Sequence, residues 1–190
     1  MKLYVPKENE LGFREELLCD PAAMSYNRCY ELPFPGYHKD TGCIDFPRAA
    51  WHGWYEVWVE NARENGRFYA YIEHGGAFIG DVCLHSEDGG KRFELGILIA
   101  PAYRGMGLSR KALELLADYA FNVLGAEELT NRFEESRAAA VRLHLSLGFE
   151  LKDEGGMLGF RLRRFFDNRL GGWLRRGGRL WGRLWCSGGF

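Results

Sequence analysis

Residues Phe93 to Val123 read FELGILIAPAYRGMGLSRKALELLADYAFNV. The stretch opens as an apolar run of Ile and Leu, passes Pro101 into Arg104-Gly105-Met106-Gly107, and continues with helical periodicity. Leu108, Ala112, Leu115, Leu116, Tyr119 and Val123 recur at spacings of three and four, which predicts one apolar stripe on a helix. Strand, glycine turn and helix start therefore follow one another directly. Such a turn leaves the first helix amides without partners, and those amides suit a phosphate-bearing ligand.

Upstream, RFYAYIEH (67–74) alternates apolar and polar positions, Gly75-Gly76 supplies a turn, and AFIGDVCLH (77–85) returns, which predicts an antiparallel hairpin. SEDGGK (86–91) makes a second turn into the organising strand, so three strands precede the glycine turn in meander order. A dinucleotide-binding Rossmann domain would instead open with its phosphate turn. Downstream, Gly125 caps the helix, EELTNRF reads as a strand, and Ser136 is the expected cap of a helix over 137–147. Extended structure resumes at Phe149, and MLGFRLRRFF forms a last strand after Gly155-Gly156. The sum is α/β, of the α+β kind: a mixed sheet flanked by helices.

The N-terminal third is less regular. Residues 8–18 predict a short helix, and the chain then crosses Pro33, Pro35 and Pro47 in a long loop that no single helix or central strand accommodates. A helix is expected over 48–64, where Trp51, Trp54, Tyr55 and Trp58 form a broad aromatic surface.

With 190 residues and a formal net charge of -1, the chain has the size of one domain. Five arginines and no acid follow from Arg169 onward, which leaves -6 on residues 1–168 and argues against nucleic acid as the main partner. Residues 1–168 are read as the domain and 169–190 as a Gly-, Arg- and Trp-rich extension for packing or oligomer contact; a homodimer stays open. Five cysteines without Cys-x-x-Cys pairing read as reduced thiols. With no apolar leader and no membrane-spanning run, a cytoplasmic location is expected. The histidines show no metal-ligand spacing, so no metal is expected.

Two nucleotide motifs fail at the glycine turn. A Walker A loop is absent, and Arg110 stands where the dinucleotide fingerprint needs its third glycine. What does fit is Gln/Arg-x-x-Gly-x-Gly/Ala, read here as Arg104-Gly105-Met106-Gly107-Leu108-Ser109. With the looser Arg137-Ala138-Ala139-Ala140, Leu143-His144 and Gly148-Phe149, residues 93–149 resemble the core of the GCN5-related N-acetyltransferase (GNAT) family.

The resemblance implies a mostly antiparallel sheet, with acetyl-CoA as cosubstrate in a splay between the fourth and fifth strands. Its pyrophosphate would lie on the amides of Arg104, Gly105, Met106, Gly107, Leu108 and Ser109, with Arg104 adding charge. Backbone near Leu98 and Ile99 would hold the thioester carbonyl, and Arg137 replaces an asparagine often near the cofactor. Direct attack by an amine in a ternary complex needs a base, and Glu94 lies where many relatives keep a carboxylate. His144 stands where relatives often carry a tyrosine that protonates the thiolate. A structural hydrogen bond is the competing reading of Glu94, and a satisfied helix-face histidine that of His144. Tyr30, Tyr37 and Trp54 are the expected acceptor wall, with covering and packing of the core as the competing reading.

The resulting expectation is an N-acetyltransferase acting on a primary amine, a small molecule first and a protein N-terminus second. The alternative is a non-catalytic acyl-CoA-binding sensor or structural domain of the same fold.

Overall fold

Side-chain alternation along three neighbouring strands sorts the chain into two cores. The computed structural model describes residues 1–33, 35–86, 88–153 and 157–164. In it β2 (Arg67–His74) and β3 (Ala77–Ser86) form the expected hairpin, and β4 (Arg92–Ile99) pairs antiparallel with β3. Phe68, Ala70, Ile72, Val82, Leu84, Phe93, Leu95 and Ile99 turn to one face and bury against α4 (Leu108–Tyr119). Leu98 turns to the other face, which is covered by α1 (Gly12–Cys19), α2 (Pro21–Met24) and Trp51 of α3 (Trp51–Tyr55). A period of two thus lets one strand serve both cores.

The sheet has seven strands among the described residues, in the order β1-β2-β3-β4-β5-β7-β6. The remaining strands are β1 (Lys2–Tyr4), β5 (Glu128–Phe133), β6 (Glu150–Asp153) and β7 (Leu158–Arg163), with α5 (Ala138–Ser146) between β5 and β6. Every neighbouring pair is antiparallel except β4 with β5. The mixed, mostly antiparallel sheet flanked by helices is therefore as expected.

Four local expectations are corrected. The strand β1 was not expected, because three residues are too few to show a period of two; it pairs with β2 and makes four strands before the glycine turn. The helix over 48–64 is broken into a 3₁₀ turn (Arg48–Ala50), α3 and a π turn (Glu56–Glu60), closed by a bond from Asn61 N to Glu56 O of 2.8 Å. On α4 the buried stripe is Leu108, Ala112, Leu113 and Leu116, continued by Ala120, while Val123 is 65% exposed. A π turn over Ala120–Leu124 shifts the helical phase there and rotates Val123 outward. At α5 the N-cap is Arg137 rather than Ser136, and no side chain caps it. The Gly155-Gly156 turn and the extension 169–190 lie outside the described residues.

Candidate active site

The parallel pair β4 and β5 is registered over only three residues each, Arg92–Glu94 against Glu128–Thr130. Beyond Glu94 the strand β4 runs on to Ile99 with β3 as its neighbour, so a gap opens between β4 and β5. Which groups face it follows from the strand's own geometry. Ala100 N donates to Ile79 O at 2.9 Å, and a Cβ on Gly80 would stand 2.1 Å from the Leu98 carbonyl oxygen. Both observations turn the polar groups of Ala100 and Leu98 towards β3. Backbone groups alternate along a strand, so Ile97 and Ile99 direct theirs into the gap. The expectation for Ile99 fits this arrangement, whereas the amide of Leu98 faces away and its side chain is buried in the second core.

The glycine turn lies at the end of the same strand. Gly105 and Gly107 have φ of 77° and 72°, a region open mainly to glycine, and a Cβ on either would meet nothing within 4 Å. Gly107 is the N-cap of α4 and no side chain caps that helix, so its first-turn amides keep no intrahelical acceptor. Met106 is exposed and Leu108 is buried beneath the turn. An exposed loop of open amides ending on a helix N-terminus fits a phosphate-bearing cosubstrate.

The Arg104 side chain is bonded to protein carbonyls. Its Nε donates to Ile99 O at 3.0 Å, and its two terminal nitrogens donate to Ala22 O at 2.9 Å and Ala23 O at 2.8 Å. The guanidinium thus closes the C-terminal end of α2 and fastens it to the end of β4. Arg137 is likewise committed to protein: its Nε lies 2.9 Å from Glu134, and it donates to Tyr26 O at 2.9 Å and the Tyr30 hydroxyl at 3.4 Å.

On the α1 face of the sheet, Glu94 sits opposite His85 of β3, with Nε2 to Oε2 at 3.5 Å. The interaction with His85 holds the Glu94 carboxyl below its ordinary range against the opposing effect of partial burial, and Arg132 adds to the depression. His85 was read only for metal spacing. Counting back from the SEDGGK turn places it across from Glu94, which is the signal that identifies it.

His144 is not brought together with Glu94. Glu94 and Thr130 share one face, and Asn131, the partner of His144, takes the other. The histidine is 2% exposed among Phe133, Phe149 and Phe160. Its Nδ1 lies 2.9 Å from Ala140 O and its Nε2 3.1 Å from Asn131 Nδ2. The carbonyl accepts and the amide donates, which fixes a neutral ring protonated at Nδ1. Burial holds its pKa below the ordinary 6.5.

The expected acceptor wall divides into two places. The Tyr37 hydroxyl donates to the carbonyls of Asn27 and Tyr30. Trp54 instead packs edge-on against Tyr69 at 4.7 Å and carries the Arg14 guanidinium over its ring at 4.4 Å. Arg14 also lies 3.3 Å from Asp81, whose carboxylate accepts from the Tyr69 hydroxyl at 2.7 Å. Burial raises the Asp81 pKa against the pull of Arg14, which makes this a compact polar centre inside the second core.

Comparison with known proteins accounts for this architecture. The sequence profile of the acetyltransferase (GNAT) domain matches residues 5–150. Spermidine N(1)-acetyltransferase of Escherichia coli K12 is 34% identical over 64 residues, 34% of this chain and 34% of that protein. L-methionine sulfoximine/L-methionine sulfone acetyltransferase of Salmonella typhimurium LT2 is 35% identical over 74 residues, 39% of this chain and 43% of that one. The chain thus spans about a third to under half of the length of these relatives. Among solved structures, spermidine N-acetyltransferase of Vibrio cholerae, in complex with CoA and spermine, superimposes with a TM-score of 0.67 at 19% identity. That likeness covers 85% of this chain and 94% of the other. A probable acetyltransferase superimposes with 0.66 at 14% identity, covering 85% and 92%. The matched domain, the gap between β4 and β5 and the Arg104–Ser109 turn together place this chain in the acetyltransferase (GNAT) family.

Proposed function

We propose that the protein is an acetyl-CoA-dependent N-acetyltransferase that transfers an acetyl group to a primary amine by direct attack in a ternary complex. The observation that carries this reading is the three-residue β4–β5 register, which leaves the Ile97 backbone and the Ile99 amide facing an open gap beside the Arg104–Ser109 turn. The turn's amides would hold the pyrophosphate, and the gap would take the acyl arm. An amide hydrogen in the gap polarises the thioester carbonyl as negative charge develops on its oxygen.

Glu94 is the base of this scheme, and His85 is the residue that positions it. The ammonium form of an amine cannot attack, so its proton passes to the Glu94 carboxylate, directly or through water. The new N–C bond then forms as the C–S bond breaks and the electron pair leaves with the thiolate, which ends as the free thiol on taking up the second proton that the acylated nitrogen sheds. His144, neutral and bonded at both nitrogens, serves the core rather than this step. Tyr30 and Tyr37 remain candidates for the acceptor wall, with Trp54 acting through the packing behind it.

One observation favours the sensor alternative: Arg104, Arg137 and His144 are all engaged by protein groups. The discriminating experiment measures acetyl-CoA binding by calorimetry and thiol release with a panel of amines, in wild type and Glu94→Gln. The panel includes spermidine, named in two of the similar proteins, and a peptide with a free N-terminus. Binding in both proteins with turnover lost only in the variant supports the enzyme. Binding without turnover of any amine supports the sensor, and no binding by folded wild type overturns both.

A further inference from the structure

The face that carries Glu94 continues across β5, β7 and β6, and its composition bears on the acceptor. This inference rests on the transferase reading above. Register places Glu94 beside Thr130 of β5 and Arg161 of β7 in one row. One row towards the open end of the gap stand Arg132 of β5, Gly159 of β7 and Lys152 of β6. Both rows point to the same side, because each is two residues from the other along its strand. Gly159 brings no side chain, so a hollow forms between Arg132 and Lys152, with Arg161 behind it. Glu94, Arg132, Lys152, Gly159 and Arg161 line a common cleft.

The cations of this hollow are incompletely matched. Glu128, the other acid of the cleft, is shared by Arg92 at 3.4 Å, Arg163 at 3.2 Å and Arg161 at 3.7 Å. Glu150 at the rim lies 3.7 Å from Arg161 and is itself well exposed. Arg132 has no carboxylate within ion-pair distance among the described residues. The buried Nε of Arg161 makes no hydrogen bond there either. A polycation such as spermidine meets an excess of like charge in this hollow, whereas a carboxylate or phosphate meets Arg132, Lys152 and the outer edge of the Arg161 guanidinium.

We infer that the acceptor is an amine that also carries an anionic group, held by Arg132, Lys152 and Arg161 while its nitrogen reaches Glu94. Neighbouring strands are about 4.8 Å apart, which puts β7 on the order of 10 Å from β4. Long arginine side chains shorten that span, so the anion and the amine belong to one small molecule. Free amino acids and phosphorylated amino sugars share this chemistry.

The test uses the full chain with acetyl-CoA and matched acceptors: free amino acids against their carboxamides, amino-sugar phosphates against the unphosphorylated sugars, and spermidine. The expected result is a kcat/KM at least about tenfold higher for one anionic series than for its neutral twin. Arg132→Gln and Arg161→Gln should each reduce that preference through KM, with kcat less affected. The carboxylate and phosphate arms separate the two sources of the anion. In parallel, inorganic phosphate is titrated into isotopically labelled protein, and the amide shifts of Lys152 and Gly159 are expected to saturate in wild type and not in Arg132→Gln. If no amine is turned over but those shifts appear and vanish as stated, the anion hollow stands and the transferase reading falls. Preference for spermidine, or equal use of both twins with no shift at Gly159, overturns the inference.

Discussion

Replacing Arg104 by Met keeps the aliphatic stem and removes three N–H donors that hold Ile99 O, Ala22 O and Ala23 O. A hydrogen bond from a charged donor contributes about 1.5–3 kcal/mol when buried, and far less when solvent competes. Ala23 is fully buried and Ala22 is exposed, so the three bonds do not count equally. A loss of about 2–4 kcal/mol follows for the folded protein. For a chain of this size that corresponds to a fall in Tm of roughly 4–16 °C, measurable by differential scanning calorimetry. Acetyl-CoA affinity, measured at a temperature where both proteins are folded, should weaken only through the loosened end of β4. An unchanged Tm with cosubstrate affinity down tenfold or more would refute this reasoning, because it would make Arg104 a phosphate ligand and not a strut.

Glu94→Gln should lower amine turnover by about 10²–10⁴-fold while leaving cosubstrate affinity within a few-fold, as read by thiol release and calorimetry. Gly80→Ala drives a methyl group to 2.1 Å from Leu98 O, so it should cost about 1–3 kcal/mol by urea unfolding; an unshifted midpoint would mean that β3 and β4 separate freely. Arg14→Met leaves the buried Asp81 carboxylate without its counter-charge and should cost about 3–5 kcal/mol, with Arg14→Met/Asp81→Asn recovering part of the loss in the same assay. His144 has a folded pKa below 6.5, so the unfolded chain takes up its proton first. Its stabilising effect is complete above about pH 6.5 and is lost as pH falls through the depressed folded value. Wild-type stability should therefore decline over that interval, and His144→Gln should flatten the decline.

The organising strand, the glycine turn and the following helix were legible because each has a strong local signal: an apolar run, two glycines at positive φ, and a period near 3.6. The two-sidedness of β4 was legible for the same reason, since alternation alone sends Phe93 and Leu98 to different cores. The uses of Arg104 and His144 were not. A sequence motif marks where a side chain starts, not which carbonyl it reaches, and the acceptors of Arg104 lie at residues 22 and 23, some eighty positions away. His144 was judged by its place in a helix, while its surroundings come from β5, β7 and Phe149, just before β6. The hollow at Gly159 was hidden too, because it needs the register of three strands whose order in the sheet, β5-β7-β6, is not their order in the chain.

The two arginines expected near the cosubstrate, Arg104 and Arg137, share a geometry that gives them a structural role as well. Arg104 leaves the end of β4 and holds Ala22 and Ala23; Arg137 leaves the chain beyond β5 and holds Tyr26 and Tyr30. The strands that bound the gap are thus each tied, from their diverging ends, to one short N-terminal segment. Parallel strands that part after three registered residues have few mutual hydrogen bonds to fix their separation. A segment grasped from both sides supplies that constraint from outside the sheet. The gap can then stay open without a bridging ladder, while Glu94, Ile97 and Ile99 keep their spacing because all three lie on β4. In this arrangement residues 22–30, from the least regular part of the sequence, brace the two strands that bound the gap.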